Sequence, residues 1–382
     1  MRRLALVFIA LAGLLMTAFE PPAGRPPVGP LQRVQPKLYD VRMQVSVFSY
    51  DRYDIRDGGP FRLKDTPIVV PLVLNGTYNK IDRRSLRAFL YKDNLPVKGF
   101  AEHARLESDH PMHTHLAIMP VDEFHGNVLQ WQLEMRAKSW SSAINDAAAA
   151  QVTWPKEFPE EVHDALKPQR FIESDHEIFT RAVQDASQGK LRLVPPYIAA
   201  KELVRYCLNN IKVVGDGIHH GEHGTIHGLE LSGALQTAQR GRGSPHDLVC
   251  VCVATLRAAG IPARPVIGVV EKPGPNTERT ELVSWAEFYL PDAGWIPFDP
   301  EDMQGQGIRH QPVNQPWPEF GTMDDLHDRV TVSYHFMPER NVQSPMYPSV
   351  WAWDPKPGTP RYTRQAMTLT LISRGQGAPD PQ

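Results

Sequence analysis

Thiols, imidazoles and carboxylates are the side chains of this 382-residue chain that could do nucleophilic, acid–base or metal-binding chemistry, and all three thiols and five of the fifteen imidazoles lie in one stretch of its second half, 207–252. Cys207, Cys250 and Cys252 are the three cysteines. An odd number, with two of them one residue apart, is no disulfide framework. Each lies in an apolar run, where a buried free thiol is the plain expectation. Between the first and the last two stands His219-His220-Gly221-Glu222-His223-Gly224-Thr225-Ile226-His227. Four imidazoles and a carboxylate in so short a span could hold zinc, with His246 or Asp247 nearby. The spacing matches no standard zinc pattern, and a solvated loop is the alternative. No cofactor is otherwise expected.

The elements that must position these residues fall into two groups. Met1-Arg2-Arg3 followed by an apolar run from Leu4 to Phe19 reads as a secretory signal over residues 1–19, with an uncleaved anchor as the alternative. No second long apolar run follows, so no further membrane span is expected. Residues 20–36, rich in Pro and Gly, read as a flexible leader. Over 37–150 the period is two: Val41, Met43, Val45 and Val47 alternate with polar residues, and Asn75-Gly76, Asp93-Asn94 and Gly126-Asn127 mark turns. This predicts an antiparallel β-sandwich. Residues 151–194 read as a linker with a helix, started by the capping-box spacing Ser174-Asp175-His176-Glu177. A second domain over 195–340 begins with a helix opened by Pro195-Pro196 and running to Ile211. A further helix runs from Pro245 to Ala259, stopped by Gly260 and Pro262. Strands follow at 264–270, 281–290, 295–298 and 330–336. A C-terminal extension, 341–382, carries a last strand at 366–372. Helices followed by strands make the second domain α+β. The formal net charge of −2 gives no reason to expect a nucleic-acid partner.

Three blocks of the second domain carry a resemblance. Gly241-Arg-Gly-Ser-Pro-His-Asp247, Leu256-Arg-Ala-Ala-Gly-Ile-Pro-Ala-Arg264 and Trp285-Ala-Glu-Phe-Tyr-Leu-Pro-Asp-Ala-Gly-Trp-Ile-Pro-Phe-Asp-Pro300 resemble, in order and spacing, the bacterial transglutaminase-like family. The resemblance covers 195–300 and extends to about 336. It implies a papain-like α+β core, here preceded by the sandwich. It also implies a Cys/His/Asp triad, in which a thiolate at a helix start attacks an amide carbonyl, a histidine shuttles the proton and an aspartate orients it. The family's cysteine position falls on Pro245 and its histidine position on Val283, while the aspartate position is kept as Asp299. Loss of such a unit costs about 10⁶ in rate.

Ser244-Pro245-His246-Asp247 reads as a helix cap rebuilt for packing, with a hydroxyl at N-cap, proline at N1 and a carboxylate at N3. His246, Asp247, Trp285 and Glu287 are expected around the former cleft. Asp299 has a plain reading as an Asp-Pro turn residue. Cys250 and Cys252 lie roughly 7 and 10 Å further along the helix axis. The expectation is an exported, catalytically inactive binding or scaffolding protein of the cell envelope, periplasmic or otherwise extracytoplasmic, with a polypeptide or envelope component as partner. The competing class is an amide-bond enzyme using a displaced Cys250 or Cys252, or a metal at His219–His227.

Overall fold

A computed structural model describes residues 29–49, 59–97, 105–272, 279–360 and 363–377. The signal reading at 1–19 therefore lies outside the described residues. None of the described helices is long and apolar enough to cross a membrane.

The alternation in the first half builds two sheets. In the strand Leu31–Ser49 the side chains of Val41, Met43, Val45 and Val47 are all buried, while Arg42 between the first two is exposed. Such a strand covers a core with one face and meets water with the other. It sits near the middle of a seven-stranded sheet whose order is Ile218–His220, Ile226–Leu229, Thr363–Gln376, Leu31–Ser49, Val128–Ile144, Asn79–Lys92, Leu95–Pro96. A four-stranded sheet contains Ala352–Trp353, Ile68–Leu72, Thr114–Met119 and Arg105–His110. Between the two sheets Trp131 meets Trp351 edge-on at 5.8 Å, and Trp351 meets Trp353 at 5.0 Å.

Two expectations need correction. The leader does not run to residue 36, because the first strand already begins at Leu31. Nor is the sandwich confined to 37–150. The final strand, Thr363–Gln376, pairs along Leu31–Ser49 from Lys37 to Ser49, and the 218–229 hairpin joins it at Ile226↔Met367. The alternating buried residues Met367, Leu369 and Leu371 could not be covered by a free extension, so the strand returns to the first domain's sheet.

The second domain is a four-stranded antiparallel sheet, Gly294–Phe298, Arg279–Leu290, Ala263–Lys272 and Arg329–Ser333, packed on the helix Pro245–Ala258. That helix is buried from Pro245 to Arg257. A helix enclosed on all sides carries apolar residues all round rather than a stripe, as Leu248, Val249, Val251, Val253 and Leu256 show. Arg257 is the polar exception in its last turn. Its guanidinium donates to the carbonyls of Ala263 at 2.7 Å and Lys167 at 2.6 Å and to Gln169 Oε1 at 2.7 Å, and burial pushes its pKa down to about 9. Upstream, the helix Glu177–Ser187 is capped by the His176 imidazole, which accepts from Ile178 N–H at 3.2 Å. Ser174 is instead buried outside the helix, so the capping box expected there does not form.

Candidate functional site

The start of the helix Pro245–Ala258 is where the transglutaminase-like pattern places its nucleophile, and four unpaired N–H groups make such a helix start a favourable place for a thiolate. Here it is closed by its own sequence. Ser244 caps it: the Ser244 hydroxyl accepts from Asp247 N–H at 3.2 Å, and Asp247 Oδ2 accepts from Ser244 N–H at 3.0 Å. Asp247 Oδ1 takes two further amides, Ser232 N–H at 2.8 Å and Gly233 N–H at 2.9 Å. The carboxylate thus satisfies a loop and a helix end together. Pro245 stands at N1, where its missing N–H costs nothing.

His246, one residue on, reaches the sheet. Its Nδ1 lies 2.8 Å from the hydroxyl of Ser284, and its ring meets Phe336 edge-on at 5.9 Å. Gly217 closes the other side. A Cβ added there would stand 2.7 Å from His246 Cδ2, and the residue's φ of +80° lies in the region that favours glycine. His246, Asp247 and Ser244 are each 2 % exposed.

Ser284 is the residue that counting along the sequence misses. Side chains alternate across a strand, so Val283 and Ser284 face opposite sides of Arg279–Leu290. Ser284, through His246, turns to the helix. Val283 and Trp285 join the packing with Val266, Met323, Tyr78 and Val73 on the side of the sandwich. Val283, where the family pattern leads us to expect a histidine, is therefore an aliphatic contact between domains. Trp285 is 1 % exposed and needs Gly268 beside it, since a Cβ there would fall 2.6 Å from Cζ3.

Glu287 is equally enclosed, 2 % exposed, and is held by Arg264, with Nε to Oε2 at 2.8 Å and Nη2 to Oε2 at 2.6 Å. Burial raises the Glu287 pKa, and Arg264 opposes that rise. The Arg264 guanidinium also lies 3.9 Å from the Trp295 ring and 3.7 Å from Tyr334, so it is clamped between two aromatic faces. Trp285, Glu287, His246 and Asp247, expected around a cleft, are all core residues, because each has been given packing or hydrogen-bond partners in place of solvent.

Asp299 caps the next helix, Pro300–Gly305, accepting from Glu301 N–H at 3.0 Å and Asp302 N–H at 3.2 Å. Its other oxygen is paired with buried Arg329, which also binds Asp325 at 2.9 Å and Asp302 at 3.2 Å. Burial alone would lower the Arg329 pKa, but Asp299 and Asp325 hold it raised. Asp299, the expected triad aspartate, thus orients a guanidinium and a helix end. Beside it Glu319, at φ +59°, passes its carbonyl to Asp299 N–H at 3.0 Å. Its Oε2 is buried and, among the described residues, has no hydrogen-bond partner. Desolvation, reinforced by Asp325, pushes the Glu319 pKa up to about 7.

The three thiols are buried and free. Burial raises the pKa of Cys250 and Cys252 well above that of an ordinary thiol, and Asp247 adds to it at Cys250. Cys207, on the helix Pro196–Asn210, is the one held low, by a hydrogen bond from Cys252. It is 1 % exposed and lies 3.4 Å from the Thr255 hydroxyl.

The histidine loop is arranged as a hairpin. His219 stacks on Tyr347 at 3.8 Å, and His220 Nε2 lies 2.6 Å from Asp216. His223 occupies a tight turn at φ +55°, and burial followed by the Arg364 charge lowers the His227 pKa. Among the described residues no three His, Cys, Asp or Glu side chains converge where a metal ion could sit, and His246 and Asp247 are committed elsewhere.

Comparison with known proteins agrees with this geometry. Residues 188–300 match the model of the transglutaminase-like superfamily. No curated protein matches the chain in sequence. Among solved structures, a candidate cysteine protease from Cytophaga hutchinsonii is 12 % identical, with a TM-score of 0.54, covering 91 % of this chain and 94 % of that one. The periplasmic domain of TgpA from Pseudomonas aeruginosa is 16 % identical with a TM-score of 0.30, over 73 % of this chain and 91 % of that one. At these identities the likeness to the first shows a shared fold. Residues 188–300, with the buried helix and three of the four strands of the second sheet, are therefore a transglutaminase-like domain, α+β and papain-like in fold, and the fourth strand, Arg329–Ser333, lies beyond the match.

Proposed function

We propose that this transglutaminase-like domain performs no thiol-based acyl transfer and that the chain serves as a binding or scaffolding protein of the cell envelope. The observation that carries the first part is the occupied helix start: Pro245 at the cysteine position, and His246 turned to Ser284 beneath Gly217 and Phe336. A nucleophile needs a thiolate within reach of a carbonyl, and Cys250 and Cys252 offer neither ionisation nor access. The envelope assignment rests on the basic-then-apolar start Met1–Phe19, which suits export.

A second reading has one observation in its favour. His246 and Ser284 place an imidazole and a hydroxyl 2.8 Å apart at the family's reaction site, a spacing suited to proton transfer. Residual hydrolysis would then run on oxygen rather than sulfur. Incubating the protein with an amine donor and a casein acceptor, before and after alkylation of every cysteine, tests the main reading: no incorporation is expected in either sample. Incorporation lost on alkylation would sink it. Labelling of Ser284 by a fluorophosphonate would establish the second reading.

A further inference from the structure

The outer face of the seven-stranded sheet carries a feature that the transglutaminase-like domain does not use. Register places charges there in alternating rows: Asp40 opposite Arg136, itself opposite Asp82, then Arg42 opposite Glu134, itself opposite Arg87. Part of this is an ordinary cross-strand ion-pair lattice. Arg42 meets Glu134 at 2.8 Å, and Asp40 is shared between Arg374 at 3.2 Å and Arg136 at 3.7 Å.

One strand breaks the lattice. Between Asp82 and Arg87 the register of Asn79–Lys92 shifts, and Arg83-Arg84-Ser85-Leu86 is extruded as a long bulge. The bulge is stapled in place. Asp82 Oδ1 accepts from Arg84 N–H at 3.0 Å, the Ser85 hydroxyl donates to Asp82 carbonyl at 2.6 Å, and it accepts from Arg136 N–H at 2.7 Å. Arg87 Nη1 donates to the carbonyls of Arg84 at 2.8 Å and Leu86 at 2.9 Å. These bonds hold Arg84 and Arg87 as one wall of a cavity of about 530 Å³, with Arg42, Arg136, Asp40, Asp82 and Glu134 around it. Among the described residues neither Arg84 nor Arg87 has a carboxylate partner, so this wall carries positive charge beyond the lattice. Bulges of this kind re-aim side chains where a sheet meets a ligand.

We propose that this cavity binds an acidic saccharide, a sugar bearing a carboxylate or phosphate group. The Arg87 guanidinium, already held by two carbonyls, and the Arg84 side chain, whose backbone the bulge fixes beside it, suit the acid group through charge-assisted hydrogen bonds. Asp40, Asp82 and Glu134 supply acceptors for sugar hydroxyls, which a simple anion would not require. Ile372, 57 % exposed at the cavity, offers an apolar patch for the C–H face of a ring. The site lies on the sandwich and stands whether or not the other domain lacks thiol chemistry.

Calorimetric titration of the full chain at low salt tests this with digalacturonate and galactose 1-phosphate, against neutral galactobiose and inorganic phosphate. Binding of either acidic sugar is expected, weakening as salt is raised. Affinity should fall about tenfold or more in Arg84→Gln/Arg87→Gln, with Arg84→Gln intermediate. An unchanged melting temperature in the variants would show that the exposed substitutions leave the fold intact, and an altered one directs the comparison to Arg84→Gln alone. The proposal is overturned if neither acidic sugar binds, if galactobiose binds equally, if inorganic phosphate binds as tightly as the sugar acids, or if the double variant keeps full affinity.

Discussion

Glu319 offers the sharpest test of the electrostatics around Asp299. Its carboxyl is lifted from 4.5 to about 7 by burial, with Asp325, Asp299 and Asp302 adding to the rise and Arg329 opposing it. The folded state therefore holds a proton that the unfolded chain has released between about pH 4.5 and 7. In that window the native state binds more protons, so stability falls as pH rises. The contribution is complete below pH 4.5 and is lost as pH passes 7. Each pKa unit corresponds to about 1.4 kcal/mol, which caps the effect near ~3 kcal/mol. The group is only half-buried, and solvent screening brings the expected figure to about 1–2 kcal/mol.

The perturbation is Glu319→Gln, which keeps shape and removes the titration. Urea unfolding followed by circular dichroism at pH 5, 6, 7 and 8 gives the stability of each protein. The two should be nearly equal at pH 5, and the variant should be the more stable by about 1–2 kcal/mol at pH 8. A difference that stays constant across the range, or that favours the wild type increasingly toward pH 8, would refute the reasoning.

Three other substitutions probe the rebuilt site. Asp247→Ala strands the N–H groups of Ser232, Gly233 and Ser244, and a loss of about 3–5 kcal/mol is expected in the same urea assay. Arg329→Met leaves Asp299 buried without its counter-ion and should cost about 3–5 kcal/mol at pH 7, with part of the loss recovered in acid as the carboxylates protonate. Gly217→Ala forces a methyl toward His246 Cδ2 at a φ of +80°, so a drop in stability of about 1–3 kcal/mol should appear in thermal melts.

The parts of this architecture that were legible beforehand are those with local causes. Ser244, Pro245 and Asp247 announce a capped helix because capping acts over four consecutive residues, and the structure forms that capping box. The alternation of Val41, Met43, Val45 and Val47 likewise marks one buried face. What stayed hidden depends on partners distant in the chain. Nothing near Ser284 says that the strand will turn it, rather than Val283, toward a helix 38 residues upstream. Arg329 reaches Asp299 from 30 residues away, and Glu319 acquires its environment only when that loop closes. The bulge at 83–86 leaves no mark in the period-two pattern of 37–150, although three arginines in five residues, 83–87, are a usable signal. The last strand, read as an appendage, could be placed only by finding which sheet lacked an edge partner.

Native-state alkylation followed by intact mass is the most direct measurement on the central claim, that no sulfur in this domain is available for chemistry. With excess iodoacetamide at pH 8, the folded chain should gain no adduct over hours, and the same chain in denaturant should gain three, one for each cysteine. Rapid, single-site modification of the folded protein at Cys207, Cys250 or Cys252 would contradict the account and return a working thiol to the site.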